Sequence, residues 1–420
     1  MAPMKRRLPP ALQIREFAYL WAAIGSMRFA ENMIAVAVGW QVYAIRRNPL
    51  DLGLIGLAEF IPLPLLALPA GQLADRMSRR LLASIALVVN IGVVLLLLAV
   101  TVNGADRVWP FFALAAANGV ASSIGWPAFG ALTPELVPPD LLPGAMALRS
   151  VAGQAAVVVG PAIGGLLFAW HPALVYAVAA GLFAVALVAV FSLRRAKLQV
   201  VTREETAGLE SLVAGIRFVL RTRMLLGAIS LDLFAVLLGG GIALLPVYAR
   251  EILDTGPVGL GVLRTAPALG ALVAALMLTR RPLRWPAGPT LMVAVAIFGL
   301  AHVVWGASNW LPLTLVGLAV AGFVDMYSVN IRATTVALVT PNELRGRVNA
   351  VEMVFISASN ELGAFESGVV ASLVGTVRCV VAGGIATVGL ALSWTRLFPE
   401  LARMGRLEDL RPGSDPAVGT

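Results

Sequence analysis

Charged side chains inside long apolar runs are the residues of this sequence best suited to binding or moving an ion. Arg28, Glu31 and Asn32 lie three and four residues apart, so they share one face of a helix. A charge exposed to lipid costs several kcal/mol, and such residues therefore face the protein interior or water. The face they form is either a polar lining of a cavity or a self-neutralising pair that braces the protein.

Asp232 is a second candidate, because no basic residue lies within one turn of it on its own helix. A carboxylate in a medium of low dielectric favours its protonated form, so Asp232 is a candidate proton carrier. The alternative is that a neighbouring helix supplies an arginine, and Arg332 is the residue available for that role.

The last third of the chain adds four more charged candidates. Asp325 and Arg332 share a stripe two turns apart, about 10 Å, which is too far for direct pairing but suits the lining of a path. Glu352 and Glu366 share one face of a later helix, whereas Glu361 lies on roughly the opposite face. Both faces cannot meet one cavity, so at least one of these glutamates is expected to be structural.

Composition indicates a membrane protein. Hydrophobic residues make up 59% of the chain and charged residues 13%, against about 25% charged in an ordinary soluble domain. The net charge of +9 is scattered over short loops and forms no basic stripe, so we expect no nucleic acid partner.

Enzyme and metal chemistry have little support in the sequence. The chain has one cysteine and two histidines without metal-site spacing, so we expect no metal and no cofactor. No nucleophile–base arrangement or phosphate-binding glycine loop is visible, which argues against an enzyme and against ATP drive.

Twelve segments are long enough to cross a membrane, since about 20 apolar residues span the hydrocarbon core. The predicted spans, numbered 1 to 12 in chain order, are 17–42, 52–73, 81–102, 109–132, 145–170, 173–193, 224–248, 258–278, 288–306, 311–339, 348–373 and 380–398. Spans 3, 6 and 9 hold no Asp, Glu, Lys or Arg. Since charged side chains avoid lipid, we expect these three helices to be peripheral and the charged helices to be interior.

Lysine and arginine are unevenly divided between the loops. With both termini in the cytoplasm, 23 of the 32 fall on the inner side and 5 in outer loops. The positive-inside rule therefore predicts a multi-pass protein of the cytoplasmic membrane with both termini inside. Arginine outnumbers lysine by 30 to 2, which we take as a sign of a GC-rich bacterial genome.

The predicted organisation has five parts: a cytoplasmic N-terminus (1–16), a six-helix bundle (17–193), a cytoplasmic linker (194–223), a second six-helix bundle (224–399) and a disordered tail (400–420). Residues 209–220 of the linker have apolar side chains at helical spacing. This pattern predicts an amphipathic helix lying in the membrane interface.

The two halves resemble each other at an offset of roughly 205. The segment Ala131-Leu132-Thr133-Pro134 recurs as Ala337-Leu338-Val339-Thr340-Pro341, and Val42-Tyr43 recurs as Val247-Tyr248. Glu59 and Arg264 occupy equivalent positions, for which we expect a bracing role. The matches favour a duplicated six-helix unit with a cavity at the interface of the halves.

A charged ten-residue segment, Gly71-Gln72-Leu73-Ala74-Asp75-Arg76-Met77-Ser78-Arg79-Arg80, separates spans 2 and 3. It cannot lie in hydrocarbon, and its arginines place it at the cytoplasmic surface. The pattern G-x-L-A-D-R-x-x-R-R resembles the loop between the second and third helices of major facilitator superfamily transporters, with Ser78 at a position where the family usually has glycine. The resemblance implies the all-α, twelve-helix major facilitator fold and a gating loop formed by Gly71, Asp75, Arg76, Arg79 and Arg80. We expect Asp75 to cap the helix that begins near Gly346.

Span 5 contains Gly160-Pro161-Ala162-Ile163-Gly164-Gly165. These residues form either a small-residue packing face or the signature of major facilitator antiporters, which they resemble. The segments 132–138 and 341–348 resemble loops of the enterobactin-exporter-like branch. That resemblance implies proton-driven export of siderophores, drugs or other hydrophobic metabolites.

The sequence therefore favours a secondary transporter that exports a small molecule by alternating access, with protons as the coupling ion. We expect a monomer embedded in the lipid bilayer. The cavity and coupling residues are expected among Arg28, Glu31, Asn32, Asp232, Asp325, Arg332, Glu361 and Glu366. The alternatives are an importer or lipid transporter of the same fold, or a membrane receptor or assembly partner that transports nothing.

Overall fold

A computed structural model describes residues 9–66, 77–193, 209–281, 283–341 and 343–410. Within these ranges the chain forms helices joined by short connections, without a strand. The predicted all-α membrane class is confirmed.

Among the described residues, twelve helical segments follow the predicted spans. They are α1 (Arg15–Arg46), α2 (Pro49–Phe60, continued to Leu66), α3 (Arg79–Val102), α4 (Trp109–Leu136), α5 (Leu142–Trp170), α6 (Pro172–Phe191), α7 (Arg223–Leu238), α8 (Gly256–Arg280), α9 (Ala287–Ala307), α10 (Leu311–Val339), α11 (Arg345–Val374) and α12 (Thr376–Leu397).

In the described part, nine of these segments, with α7 continued to Ile252, are long and apolar enough to cross a membrane on composition alone. The other three, α1, α4 and α11, are 32, 28 and 30 residues long and carry many of the polar side chains. Their lower hydropathy follows from position, because polar side chains are tolerated in a membrane helix only where it faces protein or water.

Residue contacts divide the chain into two compact units. Unit 1 holds residues up to 46 together with 58–202 and 256–262. In it, α1 packs against α4, α5 and α6, and α3 packs against α4 and α6. Unit 2 holds residues 47–57, 203–255 and those from 263 onward; in it, α9 packs against α10 and α12, and α7 against α11 and α12. The first turns of α2 therefore belong to unit 2, and the first turns of α8 belong to unit 1. The predicted domain boundaries, in contrast, placed all of α2 in the first bundle and all of α8 in the second.

The two exchanged segments make the same kind of contact. In unit 1, a methyl group on Gly165 of α5 would lie 2.5 Å from the carbonyl oxygen of Pro257 in α8. In unit 2, a methyl group on Gly368 of α11 would lie 3.0 Å from the carbonyl oxygen of Pro49 in α2. Both crossings bring backbones into contact, which requires a residue without a side chain. This correspondence agrees with the sequence repeat.

The seventh membrane segment is irregular after Gly239. It continues as a 3₁₀ helix (Gly240–Leu244), a short α-helix (Leu245–Val247) and a π-helix (Tyr248–Ile252). Three consecutive glycines, which disfavour regular helix, account for the break. The Tyr248 hydroxyl donates a hydrogen bond of 2.5 Å to the carbonyl of Gly306 and so ties the irregular part to α9.

The linker contains a helix at Leu209–Arg221, which we call the linker helix. Gly215 and Val219 are buried on one side, and a methyl group on Gly215 would lie 2.9 Å from the carbonyl oxygen of Arg347 in α11. On the other side Val213 and Leu220 are exposed. The linker helix is therefore packed on unit 2 by one face, whereas residues 194–208 lie outside the described residues.

The segment after α12 differs from the predicted disordered tail. Residues 399–402 form a short helix, and Leu401 and Met404 are fully buried. The amides of Ala287 and Gly288 donate to the carbonyls of Gly405 and Met404, at 2.7 and 3.1 Å. The prediction was wrong for residues 400–410, because these contacts with the start of α9 stabilise a segment whose composition alone favours disorder. Residues 411–420 lie outside the described part.

Candidate functional site

Arg28 and Glu31 form an ion pair near the middle of α1. The guanidinium Nη1 lies 3.1 Å from the Glu31 carboxylate, and the two side chains are 29% and 21% exposed. Asn32 donates 2.8 Å to the carbonyl of Arg28, one turn earlier. The predicted polar face of α1 is therefore present as a partly accessible ion pair.

Trp126 of α4 lies next to this pair. The Arg28 guanidinium carbon is 4.9 Å from the centre of the indole ring, which is a cation–π distance. Trp126 is 50% exposed, although it lies well inside a 28-residue helix. No sequence pattern singled out this residue, because a tryptophan in a membrane helix needs no special explanation.

Arg149 of α5 is a second arginine in unit 1. Its guanidinium donates to the carbonyls of Phe129 and Gly130, at 3.3 and 3.4 Å, and to the Thr133 hydroxyl at 3.2 Å. Pro134 has no N–H and cannot bond to the carbonyl of Gly130 four residues earlier. The proline thus leaves an acceptor on α4, and Arg149 uses it.

Glu59 of α2 is bound by a neutral group. The Asn118 side-chain amide of α4 donates 2.7 Å to the Glu59 carboxylate. Glu31 is close enough to Glu59 for the two carboxylates to repel each other. Sequence reasoning assigned Glu59 a bracing role and did not find Asn118 as its partner.

Arg332 of α10 is the centre of the charged group in unit 2. It is ion-paired with Asp232 of α7, and its Nε donates 3.1 Å to Glu352 of α11. The Arg332 side chain is 4% exposed and the two acidic side chains 12% and 13%. The neighbouring-helix arginine considered for Asp232 is therefore present.

The other predicted residues of unit 2 are spread over its interior. Asp325 lies within electrostatic range of Asp232 and Arg332, without an ion pair of its own among the described residues. Glu361 is the counter-charge of Arg264, and its carboxylate lies against Gly56 of α2. Glu366 contacts the Ser367 hydroxyl at 3.5 Å. The three glutamates of α11 thus have three different surroundings.

The charged groups of the two units occupy equivalent positions. Gly160 of α5 packs on Asn32 of α1, and Gly363 of α11 packs on Val236 of α7. Arg28 lies four residues before Asn32, and Asp232 lies four residues before Val236. The repeated segments of α4 and α10 likewise align Trp126 with Arg332, which lie five residues before Ala131 and Ala337. The pair Arg28–Trp126 in unit 1 therefore corresponds to the pair Asp232–Arg332 in unit 2.

The glycines of the predicted helix 5 motif make two contacts within unit 1. Gly160 and Gly164 lie against Asn32 and Met33 of α1, and Gly165 lies against α8. Pro161 is inside α5, and its carbonyl oxygen would be 2.5 Å from a methyl group on Gly261. The motif thus serves as a packing face, and its link to antiport stays a prediction.

Only part of the predicted gating loop can be located, because Gly71, Asp75 and Arg76 lie outside the described residues. Arg79 is ion-paired with Glu135 at the end of α4 and donates 3.3 Å to the carbonyl of Ala131. Arg80 donates to the carbonyl of Phe191 at the end of α6. Both arginines therefore join helix ends inside unit 1.

Metal binding has no support in the part of the chain that the structure covers. There, no three His, Cys, Asp or Glu side chains are grouped in a way that would hold a metal ion. The buried His302 bonds instead to the carbonyl of Phe298, at 2.9 Å, and its ring contacts the Phe298 ring at a tilt and the Trp305 ring edge-on.

Comparison with known proteins identifies relatives along the whole chain. The family model described as "transmembrane secretion effector", a major facilitator family, matches residues 8–408. The multidrug efflux pump Tap of Mycobacterium tuberculosis is 29% identical over 413 residues, covering 95% of each chain. The enterobactin exporter EntS of Escherichia coli is 26% identical over 397 residues, covering 91% of this chain and 92% of the relative.

Solved structures show the same fold. A bacterial homologue of the lysosomal transporter Spinster, in an inward-facing state, has a TM-score of 0.75 at 14% identity and covers 97% of this chain and 100% of that one. A D-xylose–proton symporter has a TM-score of 0.70 at 13% identity and covers 93% and 99%. At these identities the likeness establishes the fold alone.

Proposed function

Since the chain belongs to the transmembrane secretion effector family of the major facilitator superfamily, we propose that it is a proton-coupled exporter of small hydrophobic compounds, drugs or siderophores. The chain is a transporter and not an enzyme. We further propose that it resides in the bacterial cytoplasmic membrane with both termini inside and works as a monomer by alternating access.

The observation that supports this proposal is the pair of equivalent charged groups in the two units. An exporter driven by protons needs carboxylates in the membrane interior whose charge can change during the cycle. Unit 1 offers Glu31 and Glu59, and unit 2 offers Asp232, Asp325 and Glu352.

The charged groups of the two units differ in how far their side chains are exposed, which suggests that they have different functions. In unit 2, Arg332 is fully enclosed between two carboxylates. In unit 1, Arg28 and Trp126 are partly exposed and present a cation beside a flat aromatic ring. We assign substrate contact to Arg28 and Trp126, because an exposed indole provides a stacking surface for hydrophobic and aromatic compounds.

Transport into inside-out membrane vesicles tests the proposal. Respiration acidifies the interior of such vesicles, so a proton-coupled exporter should accumulate its substrate there. Enterobactin and a panel of fluorescent aromatic drugs serve as probes. We expect accumulation of at least one probe that stops when a protonophore collapses the proton gradient and the membrane potential; accumulation that survives the protonophore would refute proton coupling. Energised loss of the probe from the vesicles would indicate an importer.

A further inference from the structure

We infer that Glu59 of α2 is the residue of unit 1 that binds the transported proton. This inference rests on the proposed proton-coupled export. Glu59 is held in a fixed position, since a methyl group on Gly119 of α4 would lie 3.0 Å from the carbonyl carbon of Glu59. The backbones of α2 and α4 are thus in contact at this point, which fixes the main chain of Glu59 beside Asn118.

The hydrogen bond to Glu59 tolerates both charge states. Asn118 donates its amide to the carboxylate at 2.7 Å. An amide donor carries no net charge, so it neither requires nor excludes the ionised form of its partner. A carboxylate with an arginine partner, in contrast, loses an ion pair when it takes up a proton.

The charges that face Glu59 favour proton uptake. On α1, the closest charges are Glu31 and Arg28, which already neutralise each other at 3.1 Å. On α4, the contacting group is the neutral Asn118. Arg149 of α5 is engaged with the carbonyls of α4. Ionised Glu59 therefore adds an uncompensated negative charge beside Glu31, and a proton removes it.

Most other interior carboxylates of the described helices are matched by arginine. Glu31 is paired with Arg28, Asp232 and Glu352 share Arg332, and Glu361 lies within electrostatic range of Arg264. Besides Glu59, Asp325 and Glu366 have no ion pair of their own among the described residues. Both of these belong to unit 2, so in the described part of unit 1 Glu59 is the interior carboxylate without an ion pair.

The position of Glu59 also suits coupling to substrate. Glu59 is bonded to α4, the helix that carries Trp126, and it is next to the Glu31–Arg28 pair that contacts the same ring. Protonation of Glu59 would change the charge beside Arg28 by one unit. A proton and a substrate that contacts Arg28 and Trp126 would therefore influence each other's binding.

Glu59→Gln is the direct test, because glutamine keeps the acceptor for Asn118 and imitates the protonated state. Purified wild type and variant are placed in proteoliposomes with a substrate identified in the vesicle assay. Two rates are measured: uptake driven by a pH gradient, and exchange of labelled for unlabelled substrate without a gradient. We expect Glu59→Gln to lose driven uptake and to retain exchange, whereas Glu251→Gln, the matched control at an exposed glutamate outside the charged groups, retains both.

Each other outcome has a defined meaning. If the wild type itself shows no gradient-driven uptake, the proposed function fails. If the wild type is driven and Glu59→Gln is driven equally, or Glu59→Gln loses exchange while remaining folded, the inference about Glu59 is overturned. Should Glu59→Gln not fold, Asn118→Leu replaces it: loss of the amide donor should shift the pH profile of transport to higher pH, and an unchanged profile would overturn the inference.

Discussion

Asp232 of α7 is ion-paired with Arg332 of α10, and the equivalent positions of the first repeat hold Arg28 and Trp126 in contact. One contact between the first and fourth helices of each repeat has thus been kept while its chemistry has changed. In unit 2 it is an enclosed ion pair, and in unit 1 it is a partly exposed cation–π contact. The two repeats therefore carry chemically different side chains at equivalent positions.

Breaking the ion pair of unit 2 should destabilise the protein. Arg332→Gln leaves Asp232 and Glu352 enclosed without their shared counter-charge, and a buried charge left unpaired typically costs about 3–5 kcal/mol. We therefore expect a lower unfolding temperature in detergent, together with a loss of substrate binding. Thermal unfolding of the purified variant measures the first effect.

The triple variant Asp232→Asn/Glu352→Gln/Arg332→Gln separates this role from that of a proton carrier, because it removes Arg332 together with both of its ion-pair partners. If Asp232 mainly neutralises Arg332, the triple variant should recover part of the stability and binding that Arg332→Gln loses. If it stays as unstable as Arg332→Gln alone, the neutralising role is wrong, and the proton-carrier hypothesis for Asp232 regains support.

Trp126 should determine affinity for aromatic substrates. Trp126→Ala removes the exposed ring and its contact with Arg28, and a cation–π contact contributes about 0.5–2 kcal/mol. We expect a higher KM for aromatic substrates, with less change for Trp126→Phe, which keeps a ring. A KM unchanged in Trp126→Ala would exclude a substrate contact.

The crossing of α5 and α8 should not accept a side chain. A methyl group on Gly165 would lie 2.5 Å from the carbonyl oxygen of Pro257, so Gly165→Ala forces the helices apart. The matched control is Gly153→Ala in the same helix, where nothing lies within 4 Å of the added methyl. We expect reduced thermal stability and transport for Gly165→Ala and not for Gly153→Ala; equal behaviour of the two would show that the crossing is unimportant.

The proposed orientation can be tested by cysteine labelling. The buried Cys379 is first replaced by serine, and one cysteine is then introduced at the exposed Arg107 or at the exposed Arg217 of the linker helix. In intact cells, a membrane-impermeant maleimide should label Arg107→Cys. Arg217→Cys should react after permeabilisation only. The reverse pattern would contradict the proposal that both termini are cytoplasmic.

The sequence predicted the helices well because each depends on a local property, the length of an apolar run. It also named Arg332 as a possible partner of Asp232, since few charges are available inside the spans. It could not predict that Glu352 also pairs with Arg332, or that Asn118 donates a hydrogen bond to Glu59. Those contacts depend on how α10, α11, α2 and α4 are rotated about their axes, and rotation is set by tertiary packing.

Other features of the structure could not be predicted from the sequence. Trp126 is one of nine tryptophans, and its contact with Arg28 depends on the packing of α1 against α4. The burial of Leu401 and Met404 in a segment of loop-like composition arises from contacts with α9, which are distant in sequence. Composition indicates whether an isolated segment tends to be ordered, whereas here the contacts with α9 determine that the segment is ordered.

Proton movement driven by substrate is the direct measure of proton-coupled transport. Purified protein is reconstituted into proteoliposomes that enclose a pH-sensitive dye, with equal pH on both sides, and substrate is then added outside. We expect inward movement of substrate to be accompanied by outward movement of protons, so that the interior becomes more alkaline, and we expect Glu59→Gln to abolish this change. Substrate entry by the wild type without a change of interior pH would contradict proton-coupled transport.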